Sequence, residues 1–488
     1  MLTDGRAPAP FEDLQSSLIE RVATRGAGVL ESGTIVVLPS ISYAREELRK
    51  IVAIQYYEER MLYVLLLLRD PNTRIIYLTS LPVDPAIVDY YLGFIPDSAA
   101  ARARVELVNL NDDEPRALSA KLLERPRTID RLRASIEDRD DAYILPFNVT
   151  DLERAVALRV GVPLFGPHPA DAWLGSKSGG RQVARRAEVE VGEGAEDLRS
   201  LEEVAHAIAA IAEARPNAQA AVVKLNNGFS GQGNAIIEMD DLRSPLSASP
   251  TSFCAAEESW PSFARKLESE RGIVEELIRQ EDVASPSVQV RIVPGGIIEI
   301  TSTHDQILGG PDDQVYLGCR FPARTHYRAL IQDAAIRMAG VLARGGVFGI
   351  FGIDFLVVPR DAATPRILCS EINLRVGGTT HPFSMAKLAM DATYDQPSGE
   401  LFANDRAKSY IATDNLKSDR YRGTSPGAVI DAFAESGLAF DGATATGVCL
   451  HLLGALPRYG KLGMTCIADS PVGAESLQRE AVARLNAL

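Results

Sequence analysis

The 488-residue chain is 46% hydrophobic and 24% charged, which excludes a disordered polymer and supplies apolar side chains for several packed lobes. Its formal net charge of −14 excludes a surface that grips many phosphates, because such surfaces need clustered Lys and Arg; nucleic acid is not an expected partner. Five cysteines without a C-x-x-C pair fit a reducing compartment, so a cytoplasmic location is expected.

Residues 1–33 mix acids, prolines and alanines without the apolar core of a signal peptide. The β-rich runs 34–38, 74–80, 105–110 and 142–147 alternate with helical stretches, the first starting at Ala44. That alternation predicts an α/β region with a parallel sheet covered by helices. Residues 40–45 lack G-x-G-x-x-G, so no dinucleotide site is expected there. The most apolar run, residues 61–68, falls far short of the roughly 20 residues of a bilayer span. It reads as a buried helix end, and no membrane partner is expected. A helix over 150–160, the run 162–166 and the turn Pro167-His168-Pro169 mark a boundary. The capping box Ser200-Leu-Glu-Glu203 opens a helix to about Ala214, and a strand follows at 221–224. Residues 240–250 read as a polar surface loop. Strands at 287–292, 296–300 and 351–358 predict a second, antiparallel-rich sheet. Residues 447–454 and 464–469 flank a turn as a hairpin before a terminal helix.

Chemistry concentrates in two places. Gly228, Gly231 and Gly233, with Ser230 among them, follow a strand that carries Lys224. Backbone N–H groups of such a segment can close over phosphate oxygens beside a fixed positive charge, although an ordinary glycine-rich hairpin has the same composition. Downstream, Asp354 lies in an apolar strand, and Glu371 and Asn373 alternate with Ile372 in another. Period-two alternation puts Glu371 and Asn373 on one face. Two carboxylates and an amide oxygen form a hard-oxygen set suited to Mg2+ and nucleotide phosphates; pairing with arginines is the competing explanation. Arg375, on the same face, can hold a phosphoryl group or an oxyanion. The Gly377-Gly378-Thr379 turn can offer N–H groups to a carboxylate. The extended segment around Glu275, Glu276 and Ile278 can pair its backbone with adenine, with acids Glu281 and Asp282 near ribose. Arg291, Arg320 and Arg324 are candidate clamps for a substrate carboxylate, and His304 lies near a candidate site segment; solvation and core packing are the respective alternatives.

The order of these elements resembles the ATP-grasp superfamily: Lys177 in Gly175-Ser-Lys-Ser178, Lys224 with its glycine flap, the 275–278 hinge, Asp354, then Glu371-x-Asn373-x-Arg375. The likeness covers about residues 171–387. The flanking regions are similar to the peptide-ligase family of pheganomycin biosynthesis. This resemblance implies an ATP-grasp fold, α+β in its catalytic lobes, with a Rossmann-like pre-ATP-grasp domain at 1–170. A lid lobe at 171–277, a large lobe with the metal site at 278–400 and a small C-terminal domain at 401–488 would follow. It implies Lys177 and Lys224 on the phosphates of ATP, and Gly228, Phe229, Ser230, Gly231 and Gly233 closing over them. The backbone of Glu276 and Ile278 would read adenine, and Glu281 or Asp282 would bind ribose. Asp354, Glu371 and Asn373 would hold magnesium, and Arg375 the acyl phosphate. Ser176 departs from the acid that many relatives carry before the lysine.

The implied activity, in antibiotic biosynthesis, is ADP-forming ligation of a small-molecule carboxylate to the amine of an amino acid or peptide. A kinase acting on a hydroxyl and a nucleotide-binding scaffold without chemistry are the alternatives. Glu371→Ala is expected to abolish turnover without unfolding the chain, which an activity assay beside a thermal melt checks; near-normal turnover of the folded variant refutes the metal assignment.

Overall fold

The computed structural model describes residues 10–228, 233–255, 257–310, 315–360 and 363–488. Phe229, Ser230 and Gly231 of the expected flap lie outside the described residues. In the N-terminal region, β1 (Gly33–Leu38), β2 (Thr73–Thr79), β3 (Val105–Asn109) and β4 (Ala142–Pro146) form a parallel sheet of order β3-β2-β1-β4. Ile35, Val36, Val37 and Leu38 are all fully buried, as a strand covered on both faces requires. The helix expected from Ala44 is corrected: a short helix, Arg45–Arg49, is followed by a 3-10 stretch, Ile54–Arg69. Met61 through Leu66 are buried without a polar face, wedged between β2 and the helix Thr380–Met390. That wedge docks the N-terminal region onto the segment that follows Arg375. The helix Asp151–Val160 forms as expected, its Thr150 and Glu153 closing a reciprocal cap.

The second sheet runs β6-β10-β7-β8-β9, from β6 (Gly194–Leu198), β7 (Ala220–Leu225), β8 (Asn234–Glu238), β9 (Thr251–Phe253) and β10 (Gly272–Glu276). The helices Leu201–Ala214 and Trp260–Glu270 cover it, with Ile208, Ile211, Phe263 and Leu267 packed on Val223 and Val274. Ser200 Oγ accepts from Glu203 N at 3.1 Å, while the Glu203 carboxylate accepts from Arg199 N at 2.5 Å, one residue before the reciprocal position. The short β5 (Glu190–Val191), within the span expected for this lobe, pairs instead with the third sheet.

That third sheet follows the order β16-β17-β18-β13-β12-β11-β14-β15-β5. Its members are β11 (Pro286–Val293), β12 (Ile297–Gly309), β13 (Val315–Phe321), β14 (Gly349–Arg360), β15 (Ala363–Asn373), β16 (Thr393–Asp395), β17 (Glu400–Ala403) and β18 (Arg406–Lys417). The expected hairpin, β19 (Gly447–His451) with β20 (Lys461–Ala468), adds to β18, so the C-terminal strands prolong the sheet that carries Asp354. Phe321 marks the joint: it is buried, stacks on Tyr410 at 5.0 Å between centroids, and meets Phe383 at 5.5 Å. No helix among the described residues is long and apolar enough to cross a membrane. Phe321→Ala is expected to cost about 3–5 kcal/mol, read from urea unfolding; a loss below about 1 kcal/mol shows that the joint does not depend on this ring.

Candidate active site

The β14–β15 ladder places Asp354 directly opposite Glu371 and Gly352 opposite Asn373. Two carboxylates therefore face each other, as the alternation of residues requires. Asn373 Nδ2 donates to Asp354 Oδ2 at 2.9 Å and to Glu371 Oε1 at 2.8 Å, while its Oδ1 accepts from Arg375 Nη2 at 2.9 Å. The expected oxygen donor thus shows its nitrogen to the carboxylates, since a donor is what two acids attract. The amide has to turn over before its oxygen can meet a metal. Lys177 Nζ is ion-paired to Glu371 Oε2, so a lysine takes the place that the alternative reading gave to arginine.

Burial, reinforced by the neighbouring Glu371 charge, pushes the Asp354 carboxyl up to about 7. Burial acts on Glu371 in the same direction, but Lys177 outweighs it, with help from Asn373 and Lys224, and Glu371 stays ionised. The two neighbouring acids are thus pushed apart in their readiness to ionise. Two facing carboxylates beside an amide, a hard-oxygen set, fit magnesium.

On the opposite wall, Lys224 of β7 and Glu275 of β10 share a face, since Ile273 is the direct partner of Lys224. Lys224 Nζ lies 2.6 Å from Glu275 Oε1, and Arg181 Nη1 lies 3.0 Å from Glu275 Oε2. Glu275 is therefore the buried counter-ion that holds Lys224, and its carboxylate is already engaged by two cations. Burial alone would lower the Lys224 ammonium, but Glu275 outweighs it and raises it. Arg181, which also pairs with Glu196 at 3.2 Å, is a residue that sequence reasoning missed. Its only signal was a spacing of four from Lys177, on one helix face.

Lys177 opens the helix Lys177–Arg186, which Ser176 caps through Gly179 N at 3.0 Å. The serine that departs from the family pattern therefore has a structural use. Asn226 Oδ1 accepts from Ser178 N at 2.9 Å, tying this helix to the strand end that enters the flap. The flap closes at its base: Leu225 N donates to Gly233 O at 2.9 Å, and a Cβ on Gly233 would lie 2.9 Å from Gly228 Cα.

A cavity of about 1400 Å³ gathers Lys177, Lys224, Gly228, Glu275, Glu276, Ile278, Asp354, Glu371, Asn373, Arg375, Gly377, Gly378 and Thr379 on its walls. Glu276 N is spent on Glu193 O at 2.8 Å, so the backbone of this segment is partly committed to the sheet. Gly377 N is likewise spent, on Thr380 Oγ1 at 3.0 Å, which donates onward to Gln289 Oε1 at 2.7 Å. Arg375 is steadied by the N-terminal region: its Nε donates to Tyr43 OH at 2.8 Å, and its guanidinium lies 5.8 Å from the Phe147 centroid.

Glu281, Asp282, Arg291 and His304 do not line the cavity. Glu281 and Asp282 are exposed turn residues. Arg291 pairs with Glu299 at 2.5 Å and Glu31 at 3.1 Å, a bridge between regions of the chain. His304 is buried against Phe321, with Nε2 2.6 Å from Tyr410 OH, and burial lowers it to about 3. Arg320 and Arg324 do reach the cavity wall, beside Glu475 and Asp305 respectively.

Residues 428–481 match the PGM1 C-terminal domain family, and residues 247–395 match the IQCH-like ATP-grasp family. The chain is 33% identical over 464 residues to the L-propargylglycine–L-glutamate ligase of Streptantibioticus cattleyicolor, covering 93% of this chain and 94% of that one. IQ motif-containing protein H of Danio rerio is 21% identical over 377 residues, 66% of this chain and 35% of that protein. In fold, biotin carboxylase from Campylobacter jejuni matches with a TM-score of 0.57 at 15% identity, covering 94% of this chain and 92% of that one. An N5-carboxyaminoimidazole ribonucleotide synthetase in complex with ADP matches with a TM-score of 0.53 at 13% identity, covering 92% and 96%. The fold is ATP-grasp, and fold and relatives together define an ATP-dependent, ADP-forming ligase. Within that class, the chain belongs to the pheganomycin-type peptide-ligase family that contains the Streptantibioticus cattleyicolor enzyme.

Gly233→Ala forces backbone against backbone at the base of the flap. The KM for ATP is expected to rise roughly tenfold, the scale of one overpacked contact, and an unchanged KM refutes the flap assignment.

Proposed function

We propose that the chain joins the carboxylate of one amino acid or short peptide to the amine of another through an acyl phosphate. The observation that carries this reading is the meeting, in one cavity, of Lys177 and Lys224 with the Asp354–Glu371 pair and Arg375. The substrate class follows from the Streptantibioticus cattleyicolor relative, whose name pairs two α-amino acids. A carboxylate oxygen of the donor attacks the γ-phosphorus, and the bond to ADP breaks. The acceptor nitrogen then attacks the acyl carbon, loses a proton, and phosphate leaves.

Lys224 is held by Glu275 to face the phosphates. Lys177 exchanges Glu371 for a phosphate oxygen when nucleotide arrives. Asp354 and Glu371, with Asn373 once its amide turns, would hold magnesium, whose charge offsets that of the phosphates. Arg375, pinned by Tyr43, is placed for the transferred phosphoryl group and the tetrahedral oxyanion. Gly228 lines the cavity and packs closely on Gly233 beside the Lys224 strand. Among the described residues no cysteine is in a disulfide, which suits catalysis in the cytoplasm.

Hydroxylamine is the discriminating test. With ATP and the accepted acid, this reading expects a hydroxamate and stoichiometric ADP. A stable phosphoester instead identifies a kinase, and ADP release indifferent to every acid supplied in paired screens refutes ligation.

A further inference from the structure

Beyond Arg375 the cavity continues to a cluster assembled from three separate parts of the chain. Arg60, from the 3-10 stretch Ile54–Arg69, is ion-paired through Nη2 to Asp414 of β18. Its guanidinium lies 4.0 Å from the centroid of Tyr57. Lys461 of β20 donates to Tyr57 OH at 2.6 Å and to Asn415 Oδ1 at 3.3 Å. Tyr57, Arg60, Tyr316 and Asp414 all line the cavity, and Tyr316 separates them from the turn after Arg375, since a Cβ on Gly378 would lie 2.9 Å from its ring.

The cluster is only partly satisfied. Asp414 is 2% exposed, and among the described residues its Oδ1 and Arg60 Nε have no hydrogen-bond partner. Arg60 and Lys461 lie beside one carboxylate; burial drives the adjacent His381 and His451 towards the neutral form and lowers the Lys461 ammonium as well. A buried guanidinium with a donor to spare is costly unless an acceptor completes it.

The reaction supplies such an anion. When both substrates are amino acids, each brings a carboxylate, and only one of them is to meet the phosphoryl group. The acceptor's own carboxylate has to be held away from the metal site while its amine points back towards Arg375. We propose that Arg60, oriented by Asp414 and Tyr57, receives the carboxylate of the acceptor amino acid. This assignment rests on the ligase reading above. It also accounts for the C-terminal strands, since β18 and β20 supply the counter-ion and the second cation of a specificity site whose arginine comes from the N-terminal region.

The test compares an accepted acceptor acid with its primary amide, and both with hydroxylamine, which needs no carboxylate site. Wild-type enzyme is expected to show a KM for the amide at least roughly 30-fold above that for the acid, the scale of one lost buried charge contact. In Arg60→Gln the KM for the acid rises to that of the amide, while hydroxamate formation and the KM values for ATP and the donor acid hold. A wild-type enzyme indifferent to the carboxylate overturns the proposal, as does an Arg60→Gln variant that keeps the preference. Arg60→Met replaces the glutamine variant if the latter does not fold, and the wild-type comparison decides against the proposal independently of either. Failure of wild-type enzyme to form any hydroxamate overturns the ligase reading itself and is thereby told apart from failure of this site.

Discussion

Everything in the site follows from two carboxylates held opposite each other in one β-ladder. Asp354 and Glu371 are adjacent because β14 and β15 pair in this register, and a slip of one residue between the strands would put the two side chains on opposite faces. Like charges in apolar strands repel and lose hydration, so the ladder tolerates them only with outside help. Lys177 neutralises Glu371, Asn373 bridges both acids, and Asp354 is pushed towards its protonated form. The helper that matters most architecturally is Lys177. It opens a helix whose start is tied through Asn226 to the flap strand β7, so relieving the carboxylates also couples the two catalytic sheets.

The same logic organises the phosphate side. Lys224, Glu275, Arg181 and Glu196 alternate in charge along one chain of ion pairs, and removing Glu275 would leave the buried Lys224 without its counter-ion. Such a network is a poor source of stability compared with apolar packing. Its use on the proposed assignment is positional: Glu275 fixes the Lys224 ammonium on the cavity wall. Lys177 differs from Lys224 in this respect, because its present partner, Glu371, belongs to the metal set. On the proposed assignment, nucleotide at Lys177 and a cation at Glu371 would each relieve that pair, so binding of one would favour the other.

How much of this was legible in the sequence depended on whether a signal was local. The parallel strands, the helix over 150–160, the Lys224 strand and the alternating Glu371-x-Asn373 are local patterns, and each appears in the fold. The helix expected from Ala44 failed because its apolar residues surround the axis instead of striping one face; burial on all sides, set by distant packing partners, decided its form. Glu281, Asp282, Arg291 and His304 carry suitable chemistry, but whether a side chain turns into a cavity or a core is settled by register and tertiary pairing. Arg181 and Tyr43 were missed for the converse reason. Neither stands in a motif, and each matters only because folding brings it against a residue that does.

The regions outside the nucleotide-binding lobes are where substrate choice has to reside. ATP-dependent activation needs the same lysines and carboxylates whatever acid is used, so the catalytic ladder cannot discriminate among acids or amines. Here the third sheet does not end with the catalytic strands but runs on through β18 to β20, while the 3-10 stretch before β2 packs against the helix Thr380–Met390. The two termini of the fold therefore converge on the far wall of the cavity, where Arg60 meets Asp414. A wall made from both ends of the chain can change its chemistry without disturbing Asp354, Glu371 or Lys224. On the proposed reading, that separation would let substrate choice vary while the phosphoryl-transfer residues stay the same, and it would put specificity in residues that no nucleotide-binding motif contains.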